Sequence, residues 1–332
     1  MIVSGFSGAV IPVIALALVF GFLNGFHDSS SMVATVISSR AMPPRQALLL
    51  TAAAHLVAPF LFGVAVATTI GHEVVRESAV TLPVIQAGLI AAIFWSVLTW
   101  WLGMPSSSSH ALIGGIVGSV AIDSGWRALQ PNGLLKVLGV LFFAPLFGLV
   151  VSYLVMRLVF FLARGASPRI NWWFKRAQVL TLLGLSLGHG ANDAQKIMAI
   201  ITMALLADKA IASFHVPLWV VGISASTMMV GASLGGWRLI RTLGMGLYKM
   251  QPVHSFTAQV AAALVIIGGV LFGGPVSTTQ VVAAAVIGAG SAERTSKVRW
   301  GLAGQIVRAW LLTIPATAGI AALIHVVMAH YH

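Results

Sequence analysis

Pro105-Ser106-Ser107-Ser108-Ser109-His110 lies between two apolar runs, Val84–Leu102 and Ala111–Ile122. How this stretch is read decides the topology of the chain. If Val84–Leu102 crosses a bilayer fully, the basic middle of the chain (Arg157, Arg164, Arg169, Lys175 and Arg176) falls outside. If 84–122 is instead a hairpin with its tip at Pro105–His110, it enters and leaves on one side. Short cytoplasmic loops carry the excess of Lys and Arg, and this rule selects the hairpin. Arg40 and Arg45, the middle group, Arg238, Arg241 and Lys249, and Arg294, Lys297 and Arg299 then all face the cytoplasm. The other connections hold only Arg76, Arg127, Lys136 and Lys209, with most of the acids: Glu73, Glu77, Asp123 and Asp208.

The second half repeats the pattern. Pro275-Val276-Ser277-Thr278-Thr279-Gln280 interrupts the apolar stretch 255–290, and the same treatment gives a second hairpin entering from the inner side. About 80 residues before the first tip stands Gly25-Phe26-His27-Asp28; about 80 before the second stands Gly190-Ala191-Asn192-Asp193. Each half has three full crossings, an odd number, so the second half starts from the opposite side. The expected architecture is an all-α polytopic membrane protein of one transport domain, 1–332. It comprises two inverted-topology repeats, roughly 1–165 and 176–332, each with a re-entrant helical hairpin and an interrupted helix. Both termini lie outside the cell membrane on this reading. Matching interrupted segments in two halves point to a secondary transporter with its site at their interface.

Composition fixes the solvent. Of the 332 residues, 58% are hydrophobic and 8% charged, against about 25% charged in soluble domains. Val10–Ile37, Ala47–Ile70, Val84–Leu102, Leu134–Leu162, Val179–Leu206, Val216–Gly236 and Leu302–Val327 are apolar enough for spans of about 20 residues, and lipid surrounds them. There is no cysteine, hence no disulfide and no thiolate site. The net charge of +12 is spread over membrane-flanking loops and is not a nucleic-acid patch.

A carboxylate at the bilayer centre costs roughly 2.5–3.5 kcal/mol on insertion scales, so Asp28 and Asp193 need partners. Helical spacing puts Ser31 and Thr35 on the face of Asp28, and His189 and Lys196 on that of Asp193. Lys196 can therefore pair with Asp193. The tips offer Ser106, Ser107, Ser108, Ser109, Ser277, Thr278 and Thr279 as hydroxyl donors. Ala111–Ile122 and 281–290 read as short helices whose N-termini suit an anion. Two such ends with few cationic side chains fit a tetrahedral oxyanion that must bind and then leave. The acids beside them fit a coupling cation or proton.

Blander readings compete. Membrane Ser and Thr often bond back to their own helix. Asp193–Lys196 could be a structural pair, and His27, His110 and His189 simply satisfied. His55, His72, His215, His254, His325, His330 and His332 show no constellation, and no metal site or cofactor is expected. Gly114, Gly115, Gly118, Gly288 and Gly290 read as helix-packing positions. What resists the bland reading is the coincidence of an acid and a Pro–hydroxyl turn at matching spacing, twice.

At these residues the chain resembles the inorganic phosphate transporter (Pit) family, and within it the bacterial low-affinity, proton-linked branch. Gly25–Asp28 with Val33-Ala34-Thr35-Val36-Ile37 and Arg40-Ala41-Met42 is similar to the first family signature. His189–Asp193 with Gln195-Lys196 is similar to the second. Pro105–His110, Pro275–Thr279 and Gly236-Trp237-Arg238 also match. The resemblance implies a homodimeric inverted-repeat carrier, not an enzyme, moving inorganic phosphate with a cation. Asp28, Ser107, Ser108, Ser109, Ser277, Thr278 and Thr279 would surround phosphate; His27, Asp28, Asn192, Asp193 and Lys196 would serve the coupling ion. Some members of this branch are thought to carry phosphate as a neutral divalent-metal complex. Ser30-Ser31 stands where the family usually has Ala-Asn, which removes a sodium ligand and favours protons. Gln280 stands where it usually has His, and the large loop of many relatives is missing between Leu206 and Val216.

Three rivals remain. Sulfate on the same scaffold is disfavoured by Asp28, which would accept a proton from phosphate and repel an unprotonated dianion. An intramembrane hydrolase on Ser108 or Ser109 with His110 lacks the nucleophile signature of such enzymes. A passive anion channel needs a continuous path, not paired broken segments.

Overall fold

The computed structural model describes residues 7–167, 169–236, 240 and 250–331. Trp237, Arg238, Arg241 and Lys249 lie outside them. The described residues are mostly helical and form no strand. The helices are α1 (Val10–Ser38), α2 (Pro44–Phe62), α3 (Ala65–Thr68), α4 (Leu82–Leu102), α5 (Ser108–Asp123), α6 (Pro131–Leu162), α7 (Ile170–Ala207), α8 (Leu218–Leu234), α9 (Pro252–Leu271), α10 (Thr278–Arg294) and α11 (Trp300–Tyr331). Among them α1, α2, α4, α6, α9 and α11 are long and apolar enough to cross a bilayer. The longest, α7, carries the polar run His189–Lys196.

Both hairpins form. The first arms stop on glycines of the same conformation: Gly103 and Gly273 each have φ +69°, where a Cβ would be strained. The turn closes identically in both. Gly103 N–H donates to Trp100 O and Met104 N–H to Thr99 O; Gly273 N–H donates to Val270 O and Gly274 N–H to Gly269 O. The second arms start three residues earlier than their apolar runs suggest, at Ser108 and Thr278. Ser107 and Ser277 take the N-cap position, which serine favours.

Packing is repeated between the halves. Hairpin α4–α5 packs on α11, and hairpin α9–α10 packs on α6. Helix α1 packs on α8 as α7 packs on α2. Exchanging α1, α2, α4, α5 and α6 for α7, α8, α9, α10 and α11 leaves these pairings unchanged. Small residues set the distances: a Cβ on Gly118 would meet the Ala318 backbone, and one on Gly288 that of Leu149.

One expected span is broken. Ala47–Ile70 is not continuous, because α2 ends at Gly63 (φ +71°) and α3 restarts at Ala65 before a wide turn over Thr69–Glu73. The fresh N-terminus of α3 is met from α7, where Gln195 Oε1 accepts from Val66 N (2.7 Å) and Ala67 N (3.2 Å). Apolar content alone cannot register such a break.

Candidate functional site

The two hairpin tips meet each other and Asp28, and they reach Asp193 through Lys196 and Asn192. Every expected site residue is buried, none more than 7% exposed. Asp28 on α1 holds both hairpins at once. Its Oδ2 accepts from Ser108 Oγ at 2.9 Å, and its Oδ1 from Thr279 Oγ1 at 2.8 Å. His27 Nδ1 lies 3.1 Å from the same Oδ1. The tips also touch directly, Ser109 Oγ donating to Val276 O at 3.1 Å.

Asp193 sits in different company. Its Oδ1 takes the Lys196 ammonium and Asn192 Nδ2, the latter at 2.6 Å. His189 Nε2 is 3.1 Å from Oδ2, within ion-pair reach but off the line of a hydrogen bond. Lys196 Nζ donates also to Ser109 Oγ at 2.5 Å and approaches Val276 O at 3.4 Å. Asn192 clamps the second tip through its backbone: Val276 N donates to Oδ1 at 3.0 Å, and Nδ2 donates to Val276 O at 2.9 Å. Non-helical backbone inside a membrane protein survives only when its polar groups are met in this way. Pro105 O is likewise met by Trp310 Nε1 at 3.1 Å.

The tips differ in their caps. Ser107 Oγ accepts from His110 N at 3.2 Å and lies 2.8 Å from His110 Nδ1, so the α5 N-terminus is closed by its own chain. Ser277 makes no cap bond, and its buried Oγ has no partner among the described residues. The α10 N-terminus therefore lacks the side-chain cap that closes α5, and uncapped helix N-termini suit an anion. Gln280 and His110 face each other across the tips at 3.4 Å.

Some sequence expectations fall elsewhere. Ser31 does not turn to the Asp28 carboxylate; its hydroxyl bonds the Asp28 backbone carbonyl at 2.7 Å, as short side chains in helices tend to. Thr35 accepts from Gln259 Nε2 at 3.0 Å, one layer away. His55, His72, His254 and His325 are not without constellation. His55 Nε2 lies 2.8 Å from His189 Nδ1, His72 pairs with Glu77, His254 with Glu293 and His325 with Asp123. The first of these pairs needs Gly190, where a Cβ would come within 2.8 Å of His55 Cα. Except for Glu77, five residues from His72, these partners come from distant elements, and no local spacing announces them. Asp28, His189 and Asp193 turn donor atoms to within 4.8 Å of one another. The Lys196 ammonium already neutralises Asp193 there.

The Phosphate transporter family profile matches residues 24–172 and 162–321. The chain is 41% identical over 316 residues to a "Probable low-affinity inorganic phosphate transporter" of Rhizobium meliloti (strain 1021), covering 95% of each. It is 36% identical over 322 residues to a protein of the same description from Bacillus subtilis (strain 168), covering 96% of each. A solved structure described as "The sodium-dependent phosphate transporter" superposes with a TM-score of 0.87 over 97% of this chain and 99% of that one, at 21% identity. That likeness speaks for the fold.

Proposed function

The chain belongs to the phosphate transporter family, and on that premise we propose that it is a proton-coupled symporter of inorganic phosphate in the plasma membrane. It is a multi-pass carrier and not an enzyme. The observation that carries the proposal is the Asp28 clasp. One carboxylate holds Ser108 of the first tip and Thr279 of the second, so an anion taking those hydroxyls would sit where both tips and an acid converge. Ser107, Ser109, Ser277 and Thr278 complete the phosphate shell on this reading. A protonated phosphate can donate to Asp28 while its other oxygens accept from the hydroxyls and the α10 N-terminus. Sulfate has no proton to give and meets a bare carboxylate.

His27, Asp28, Asn192, Asp193 and Lys196 form the coupling group. Protons are favoured over sodium because Ser31 turns away from Asp28 and a lysine already sits on Asp193. Two inverted repeats, roughly 1–165 and 176–332, are supported by packing that survives exchange of the halves. A homodimer is the proposed assembly.

Uptake of radiolabelled phosphate and sulfate into proteoliposomes under imposed gradients tests the proposal. An inward proton gradient should drive phosphate and not sulfate. Phosphate uptake driven by a sodium gradient at equal pH on both sides refutes it.

A further inference from the structure

Lys196 keeps the company of a bound metal ion. Its ammonium is fully buried and meets three oxygens of three kinds: the Asp193 carboxylate, the Ser109 hydroxyl at 2.5 Å and the Val276 carbonyl at 3.4 Å. Carboxylate, hydroxyl and peptide carbonyl are the ligands that hard cations choose. The three come from α7, the first tip and the second tip, so one positive charge ties all three together. The matching position of the first half, three residues after its acid, is Ser31. Its hydroxyl bonds its own backbone and brings no cation to Asp28.

We propose that Lys196 is a tethered substitute for a coupling cation: its ammonium fills an oxygen-lined site between the two tips that would otherwise take an alkali-metal ion. The inference rests on the proton-symport reading and deepens it. A free ion brings its charge when it binds and can be driven by its gradient. A tethered one stays beside Asp193 and neutralises it without being released, and no gradient acts on it. The site keeps the structural service of a cation and gives up sodium as a driving force.

Shortening the tether should return the site to the ion. Lys196→Ser leaves the Asp193 carboxylate, the Ser109 hydroxyl and the Val276 carbonyl around the space the ammonium filled. A buried carboxylate left unpaired is strongly destabilising, and sodium can relieve it. Thermal unfolding and phosphate binding are measured for purified wild type and Lys196→Ser in sodium chloride and in choline chloride at equal ionic strength. Wild type should behave alike in both. The variant should melt higher in sodium, saturably, and regain phosphate affinity by roughly tenfold as sodium replaces choline. The double variant Lys196→Ser/Asp193→Asn lacks the carboxylate and should ignore sodium. A single variant blind to sodium, or one that does not fold in sodium, overturns the proposal, because sodium is then no adequate substitute. A double variant that still responds overturns it too. Wild-type uptake driven by sodium would sink the proton reading itself. Proton-driven wild type with a sodium-blind variant would sink only the tether.

Discussion

Asp28 and Asp193 hold the same place in the two halves and live in opposite chemistry. Asp28 accepts from two hydroxyls on two different hairpins, with one imidazole beside it. Asp193 is locked by an ammonium and an amide, with a second imidazole behind it. Hydroxyl bonds to a carboxylate are each worth about 1.5–3 kcal/mol net, and the hydroxyls can turn to other acceptors. A buried ion pair is not exchanged without leaving a charge bare. On the proposed repeat reading the two positions are equivalent, and one is a place where partners can change while the other is a fixed post. The tips repeat the lesson, since Ser107 closes its own helix and Ser277 leaves its helix open.

The hardest test of the comparison joins the two tips. The chain has no cysteine, so a pair placed at Ser109 and Val276 can be bridged by a short bifunctional thiol reagent on an otherwise blank background. Bridging should stop phosphate uptake completely, and reversal should restore it; uptake that continues through the bridge breaks the picture of tips that must part. Next in size is the contrast between the acids. Asp193→Asn should cost about 3–5 kcal/mol of stability, because Lys196 is left buried without its partner. Asp28→Asn should cost only about 1 kcal/mol, since its hydroxyl partners can turn to an amide. Unfolding in detergent measures both, and equal losses would erase the distinction. Concentrative uptake should nevertheless vanish in Asp28→Asn. Smaller again, Ser108→Ala and Thr279→Ala should each weaken phosphate binding by about 1–3 kcal/mol, the scale of a bond to a charged group. Isothermal titration at fixed pH reads this, and no change in either would free the clasp from the site. The smallest effect separates the caps. Ser107→Ala should lower stability by about 0.5–2 kcal/mol as a lost N-cap. Ser277→Ala should stay within about 0.5 kcal/mol while binding phosphate less well.

Much of this was legible in the chain. The two acids, the two hydroxyl turns and their common address follow from residues repeated at equal spacing. The charge of the loops was enough to make hairpins of 84–122 and 255–290. Local signals also existed that apolar runs drown: Ser107 and Ser277 mark helix starts, and Gly63 marks a helix end. Other features have no local trace. Gln195 capping α3, Asn192 holding the peptide of Val276, and His55 against His189 join residues more than 80 positions apart. Ser31 was misleading because helical spacing gives a shared face but not the direction of a hydroxyl, which here finds a nearer acceptor in its own backbone.

The Asp28 clasp also bears on the journey home. On the proposed reading, a carrier that has released its cargo must cross back with its donors exposed to a dry interior. Asp28 already answers Ser108 and Thr279 with a carboxylate, a small anion built into the wall. It stands in for the absent passenger, an understudy that never leaves the stage. On that reading an unloaded carrier can close and return, which would suit net filling of a compartment and not merely the trade of one phosphate for another.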